Sequence, residues 1–380
     1  MTTSEVTVIV PTFNRASYIN ECIDSLLAQS VPAREIIVVD DGSDDDTAAR
    51  VARYGNRVRY VRKDNGGKPS AVNLALNQAR GDWIWLFDDD DVASPDAIEA
   101  RLSVLCRDPG LGFVYAPHYM GTSGPDGRIV RGRVNDLSPP PPEALHLTLM
   151  RSAFCSLSSV IFRRELSLQL GGLDPSLVAG EDYDFLIRLA GLARGAFCDR
   201  PVFIVRQHTG TRGPKPERCA ERDRARIFLR YSKAIGQKIR LTQPLGAFCV
   251  PSASECNAAQ SCEALLNRAL VMANHGCVDE LIADVDAFLC AVETGPRIAY
   301  QARAAISEIL QTGWAYDSCT NDWQRFVRKA GALRARNGGR GAILALAKGA
   351  LKRATSYPGT LADRMLRLRR AGSLAWAALR

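Results

Sequence analysis

Two acidic clusters have the residue types and spacing for chemistry. In WIWLFDDDD, five apolar residues, Trp83 to Phe87, run directly into four carboxylates, Asp88 to Asp91. In GGLDPSLVAGEDYDFLIRLAG, the acids Glu181, Asp182 and Asp184 follow a glycine-rich turn and open a helical pattern. Adjacent like charges raise one another's pKa and cost stability, so the first cluster calls for a positive counterpart. Three readings are open: a solvated turn in which Asp91 or Ser94 caps the next helix, a calcium loop, or a site for Mg2+ or Mn2+ shared with a phosphate. A calcium loop of the EF-hand kind lacks its alternating ligands, central glycine and closing glutamate here, whereas magnesium takes one or two carboxylates together with substrate phosphates. The second cluster, taken alone, complements a helix dipole at ~0.3 to 1 kcal/mol per acid.

The elements that must position these clusters alternate between strand and helix. Val6–Pro11, Glu35–Val39, Arg57–Val61 and Trp83–Phe87 read as strands. Arg15–Gln29, a segment from Ser43 or Asp44 to Arg53, Pro69–Ala79 and a segment from Pro95 to about Cys106 read as helices. Further on, Leu111–Ala116, Ser158–Phe162 and Phe197–Arg206 read as extended, and the stretch with Gly121, Gly124 and Gly127 as a loop. Strands separated by helices imply a mainly parallel sheet covered on both faces. Ligands of such sheets bind outside the carboxyl ends of the strands, where Thr12-Phe13-Asn14-Arg15, Asp40-Asp41-Gly42-Ser43, Asp64 to Lys68 and Asp88 to Asp91 converge. Asp40 can there accept a hydrogen bond from a base or ribose, or simply shape the turn before Gly42. Neither G-x-G-x-x-G nor G-x-x-x-x-G-K-[ST] follows the first strand, which removes the main signature of a nicotinamide dehydrogenase and of a P-loop NTPase.

VTVIVPTFNR, VVDDGSDDDT, DNGGKPSAVNLALNQARGDWIWLFDDDD and GGLDPSLVAGEDYDFLIRLAG, in this order, resemble the family-2 inverting glycosyltransferases with a GT-A fold, over about residues 5 to 210. The resemblance implies that Pro11, Thr12, Asn14, Arg15 and Asp40 line a nucleotide pocket, with Asp40 toward the base, and that Gly66, Lys68 and Asn73 border the donor. Asp88 and Asp90 match the D-x-D motif, with Asp90 toward the metal, Asp88 shared between donor and metal, and Asp89 at the donor in the alternative register. Asp182 of the Glu181-Asp182 pair matches the base that takes the acceptor's proton. His208 is either a third metal ligand or a surface-loop histidine, and Arg206 and Arg212 would hold the diphosphate under a loop able to close over it. The implied cofactor is Mn2+ or Mg2+, acting as a Lewis acid on the departing diphosphate. The implied partners are a nucleotide-sugar donor, most readily UDP-linked, and a hydroxyl of a glycan or lipid-linked acceptor.

The 380 residues, 46% hydrophobic and 24% charged, fit a soluble globular chain rather than a disordered one. We expect a GT-A type domain over residues 1–216, a helical region over 217–323 and basic amphipathic helices over 324–380. Eleven cysteines without a C-x-x-C pair read as reduced, buried thiols. No signal peptide or spanning helix is expected, which favours the cytoplasm. The net charge of +8 is concentrated in the tail, where Arg325 to Arg380 hold 14 Lys/Arg against the single acid Asp363. Leu361, Met365, Leu368, Ala375 and Leu379 share helical spacing with arginines elsewhere on the wheel, a pattern suited either to the inner, anionic face of a membrane or to packing against the catalytic domain or a partner. Nucleic acid is the weaker partner, for want of stacking aromatics or a known module. The rival to an enzyme is a non-catalytic scaffold of the same fold that docks through its basic tail.

Overall fold

Short β-branched runs separated by helices can pair side by side only through crossovers, which turns neighbouring strands parallel. The computed structural model describes residues 4–207, 221–250, 258–291, 300–309, 323–356 and 361–379. The chain divides into two compact units, Met1–Leu149 with Ala153–Ala225, and Met150–Ser152 with Arg226–Arg380. The boundary expected at residue 216 lies outside the described residues.

In the first unit, β1 (Val6–Thr12), β2 (Glu35–Asp40), β3 (Arg59–Arg62) and β4 (Trp83–Leu86) alternate with α1 (Ile19–Leu27), α2 (Thr47–Ala52) and α3 (Lys68–Gln78). There follow β5 (Val92–Ala93), α4 (Ala97–Arg107), β6 (Phe113–Tyr115), β7 (Tyr119–Ser123), β8 (Ile129–Val134), α5 (Leu145–Arg151), β9 (Ile161–Arg163) and α6 (Arg164–Gln169). α7 (Glu181–Leu192), β10 (Gly195–Phe197) and β11 (Phe203–Gln207) complete it. The main sheet has the order β10-β6-β9-β4-β1-β2-β3 and is parallel except for β9, which runs against β4 and β6. Its register pairs Thr12 with Asp40 and Asp40 with Arg62, so the carboxyl ends of β1, β2 and β3 lie level. A smaller sheet, β5-β11-β7-β8, sits beyond the end of β4.

Both faces of the central strands are covered, which is why Val8, Ile9, Val10, Ile37, Val38, Ile84 and Trp85 are all fully buried. Trp85 is held from two sides. Its indole N–H donates to the Ser158 carbonyl at 2.7 Å, and the buried Arg101 guanidinium lies over its ring at 4.0 Å. Arg101 in turn donates to the Ala97 and Ser159 carbonyls, and burial pulls its pKa down to about 9. The strand that ends in the four aspartates is therefore fixed in depth and rotation.

Several element ends differ from the sequence reading for reasons visible in the loops. α1 starts at Ile19 rather than Arg15 because Asn14 adopts a left-handed φ of 56°, and the amides of Asn14, Arg15 and Ala16 donate to Ser43, Thr47 and Asp45. α2 starts at Thr47 rather than Ser43 or Asp44, since those residues are spent in the same loop. α4 has Asp96 at its N-cap position, which removes Asp91 and Ser94 from that role. The glycine-rich stretch after Gly121 is the β7–β8 hairpin, with Gly127 at φ 79° in its turn. The extended segment expected over Phe197–Arg206 divides into β10 and β11, which belong to different sheets.

Beyond residue 221 every described element is helical: α8 (Glu221–Thr242), α9 (Ala258–Asn274), α10 (Val278–Ala291), α11 (Tyr300–Ile309), α12 (Trp323–Ala332), α13 (Gly339–Ser356) and α14 (Leu361–Leu379), with short 3-10 turns between some of them. α10 shows the logic, burying Leu281, Ile282, Val285, Phe288 and Leu289 on one face. Asp284 is buried on the same helix, where Arg240 and Arg268 neutralise it. His275, also buried, faces the Met150 carbonyl through Nε2 at 3.0 Å and the Ser232 hydroxyl through Nδ1 at 3.0 Å, a set that satisfies the neutral ring.

Burial lowers the pKa of His275 below the ordinary imidazole value. Below about pH 6.5 the unfolded chain then binds a proton that the folded one refuses, so this stabilising contribution is present above that pH and declines as pH falls. Urea unfolding between pH 7 and 5 is expected to show a shallower loss of stability in His275→Asn than in the unaltered chain.

Candidate active site

The site is assembled at the carboxyl edge of the main sheet, beginning with two loops knitted together. After β1, the amides of Asn14, Arg15 and Ala16 rest on side chains of the loop after β2, and Asn14 Oδ1 accepts from the Asp44 amide at 2.9 Å. Asp45 accepts from both the amide and the hydroxyl of Thr47. The acidic run after Asp41 therefore serves chiefly to orient the Thr12–Arg15 segment. Pro11 and Thr12 are the buried end of β1.

Asp40 and Asp41 divide the labour differently from the expectation. Asp40 is fully buried, with Oδ1 accepting from the Ser43 amide at 2.7 Å and Oδ2 from the Tyr60 hydroxyl at 2.6 Å. Burial and this carboxylate push the Tyr60 phenol up to about 12. Asp40 thus secures the turn rather than offering an open edge to a base. Asp41 accepts from the Gly66 and Gly67 amides at 2.9 and 2.7 Å, from Asn65, and from Lys63 at 2.7 Å. Gly67 takes φ 86° at the N-cap of α3, so Asp41 sets the start of the helix whose first residue is Lys68.

Lys68 is where the two acidic clusters meet. Its ammonium donates to Asp88 Oδ1 at 2.8 Å and to Asp182 Oδ2 at 2.9 Å. Burial alone would discharge it, but Asp182, Asp88 and Glu181 overrule that and hold its pKa well above the ordinary lysine value. Asp88 Oδ2 accepts from the Ser158 hydroxyl at 2.8 Å. Asp182 Oδ1 is buried without a hydrogen-bond partner, and burial raises its carboxyl against the pull of Lys68. Burial and the neighbouring Asp182 push Glu181 up to about 8, while Lys68 pulls against the rise of Asp182.

Within the aspartate run, Arg15 approaches Asp89 at 3.5 Å and Asp90 at 3.8 Å. Burial and Asp90 nevertheless push Asp89 up to about 7, with Arg15 opposing. Carboxylate charge thus exceeds the nearby positive charge, and the all-oxygen donors suit a hard divalent cation. Among the described residues, no three His, Cys, Asp or Glu side chains form a self-sufficient metal cage. Asp88 and Asp90 remain suited to a cation that draws its other ligands from phosphates.

Two expected donor contacts, Arg206 and Asn73, have other duties. Arg206 is 1% exposed; its amide donates to Asp91 Oδ1, Nε to the Asp90 carbonyl, Nη1 to Ser123 and the Gly127 carbonyl, and Nη2 to Glu21. Its guanidinium also lies over the Tyr18 ring. Turned inward in this way, it fastens the smaller sheet to the aspartate run and α1 instead of reaching a diphosphate. Asn73 exchanges two hydrogen bonds with the Leu173 backbone, each 2.8 Å, and a Cβ on Gly172 would lie 2.2 Å from its Oδ1. It clamps the turn that leads to Glu181 and Asp182. Asp91, assigned to a cap or turn, receives the Arg206 amide. His208 and Arg212 lie outside the described residues. The sequence gives Ser158 and Tyr60 no signal, since Ser158 sits in an undistinguished LSSV run, and it offers Asp41 only as a member of the Asp40–Ser43 cluster.

The match to known proteins agrees with this layout. Residues 7–170 fit the model of the glycosyl transferase family 2 domain. An uncharacterized glycosyltransferase of Rickettsia prowazekii is 34% identical over 208 residues, 52% of this chain and 62% of that one. The chondroitin synthase of Pasteurella multocida is 38% identical over 133 residues, 34% of this chain and 14% of the synthase. The chain thus spans less than two thirds of either relative. Among solved structures, S. aureus TarS 1-349 in complex with UDP-GlcNAc superposes with a TM-score of 0.53 at 18% identity, covering 84% of this chain and 90% of that one. The fold is of the GT-A type, and the family-2 glycosyltransferase match lies within its N-terminal unit, over residues 7–170.

Removing the Arg206 side chain would strip Glu21 of its guanidinium and leave the Asp90 and Gly127 carbonyls and the Ser123 hydroxyl without this buried donor. Arg206→Ala is expected to cost about 3 kcal/mol, read as a lowered thermal midpoint. Lys68→Ala, in a more open position, is expected to cost less than a third of that.

Proposed function

We propose that the chain transfers a sugar from a nucleotide diphosphate donor, UDP-linked in the first instance, to an acceptor hydroxyl, with inversion at the anomeric carbon. The carrying observation is the single ammonium of Lys68 touching both Asp88 and Asp182, which brings the donor carboxylates and the helix-start acid into one pocket on a family-2 domain. The relative whose structure holds UDP-GlcNAc supports a uridine donor through its fold.

The donor diphosphate lies against Thr12, Asn14, Arg15, Gly66 and Lys68, with Asp88 and Asp89 toward ribose and sugar. Pro11 backs the pocket from the buried end of β1. A Mg2+ or Mn2+ ion held by Asp90 and Asp88, when bound, supplies Lewis-acid neutralisation of the departing diphosphate. Asp182 accepts the proton of the acceptor hydroxyl as its oxygen bonds to the anomeric carbon and the bond from that carbon to the diphosphate breaks. Glu181 stands beside the base and is raised by burial and by Asp182, whereas Asp182 is the acid that reaches Lys68 and the donor edge. Lys68 and Arg15 receive the charge that develops on the leaving group.

The acceptor is a glycan or a lipid-linked saccharide, and the second unit brings the chain to the membrane that carries it. α13 exposes Arg340, Leu344, Lys348, Leu351 and Lys352 at helical spacing, and α14 exposes Leu368, Arg369, Trp376 and Leu379. Basic residues interleaved with leucine and tryptophan fit an anionic lipid surface. No helix among the described residues is long and apolar enough to cross a membrane, so the contact proposed is peripheral, on the cytoplasmic side.

Asp182→Asn is expected to lower turnover of UDP-sugars at least a thousandfold, on the order of a lost general base with its positioning, while UDP still binds in calorimetry. Unimpaired turnover would reject the base assignment. A non-catalytic scaffold would show no nucleotide-dependent thermal shift. For the membrane contact, flotation with phosphatidylglycerol-containing vesicles is expected to carry the protein in a salt-sensitive manner, and pure phosphatidylcholine vesicles are not. Leu351→Asp with Trp376→Ser should abolish flotation; retention would remove these helices from the membrane contact.

A further inference from the structure

Among the described residues, the Asp182 carboxylate has one hydrogen-bond partner, the Lys68 ammonium on Oδ2, and its Oδ1 has none. A carboxylate engaged with an ammonium is a poor proton acceptor, because accepting the proton forfeits the ion pair. The same ammonium sits on Asp88, at the edge where a donor diphosphate would lie. We propose that Lys68 is a positioning residue that couples the donor site to the base: it masks Asp182 while the donor site is empty and releases it when the diphosphate claims the ammonium. The inference rests on the reading of Asp182 as the base and of the Lys68 edge as the donor site.

Three features make the exchange local. The backbone of Lys68 is fixed by the grip of Asp41 on the Gly66 and Gly67 amides, so a change of partner requires only the flexible side-chain stem to move. Asp88 keeps its Ser158 hydrogen bond through Oδ2 when the ammonium leaves Oδ1. Asp182 is held by the first turn of α7, whose approach is clamped by Asn73 through Leu173, and so it stays in place once unmasked. Donor and base compete for one cation, and linkage makes the competition reciprocal: whatever weakens the hold of Asp182 on Lys68 must strengthen the hold of the diphosphate. An acceptor proton is thereby taken only when a sugar is present to receive the oxygen.

The test uses UDP with Mn2+ as the probe and needs no acceptor. Calorimetry on the full chain is run for the unaltered protein, Asp182→Asn, Lys68→Met and the double variant, a cycle that isolates the pairwise effect. Asp182→Asn is expected to tighten UDP about three- to fivefold, the size of a half-exposed ion pair. The same substitution in the Lys68→Met background is expected to change UDP affinity by less than about twofold. Lys68→Arg should keep part of the coupling. Unchanged or weaker UDP binding in Asp182→Asn overturns the proposal, and so does equal tightening with and without Lys68. Failure of the unaltered protein to bind UDP at all instead rejects the donor reading, and the coupling with it.

Discussion

A parallel sheet delivers the carboxyl ends of its strands to one edge, and in this chain those ends are acidic. Asp40, Asp41 and Asp88 to Asp91 lie there, joined by Glu181 and Asp182 from the start of a helix. Repulsion among them has to be answered locally, and most of the local architecture can be read as the answer. Lys63 and the two glycine amides answer Asp41; the Ser43 amide and the Tyr60 hydroxyl answer Asp40; the Arg206 amide answers Asp91 and its guanidinium Glu21. Lys68 answers Asp88 and Asp182 at once. Around Asp89 and Asp90, Arg15 stands at 3.5 and 3.8 Å, and burial with Asp90 still pushes Asp89 up to about 7. This is where a divalent cation and a diphosphate would add opposing charge and ligands.

The same interactions tie stability to function. The carboxylates that hold loops are buried and saturated, so they are poor ligands. Those that remain partly open, Asp88 and Asp182, are held on one side by Ser158 and by the α7 turn, and on the other by a flexible ammonium. Rigid supports with one movable counter-charge suit a site that must be ordered before its substrate arrives and still exchange partners when it does. Arg206 illustrates the opposite case. A guanidinium with every nitrogen engaged and almost no exposure contributes to shape, and the cost of unpairing it keeps it there.

Much of the fold was legible in sequence because hydrophobic period and crossover spacing are local signals. The four N-terminal strands, the intervening helices and the acidic helix start at Glu181 all follow from them, and the convergence of the four polar clusters follows from parallel pairing. Helix starts were misread where side chains of one loop replaced backbone partners of another, as between Asn14–Ala16 and Ser43–Thr47. That exchange spans some thirty residues and leaves no periodic trace. The roles of Arg206 and Asn73 were hidden for the same reason, since an arginine or asparagine near a site reads identically whether it faces a ligand or the interior.

By itself the sequence determined which residues carry charge, where strands must end, and that the strand-end clusters up to Asp88 to Asp91 would share one edge; the place of Glu181-Asp182 there was implied by resemblance alone. Only the tertiary structure decided how those charges are divided. It spends Asp40, Asp41, Asp91, Asn73 and Arg206 on the framework, and it leaves Asp88 and Asp182 bridged by Lys68. The physical reason is that burial and pairing are settled by contacts between residues distant in the chain: Lys68 and Asp182 are separated by 114 positions yet meet at 2.9 Å. A one-dimensional pattern states how many charges there are, and three-dimensional packing states which of them are already satisfied.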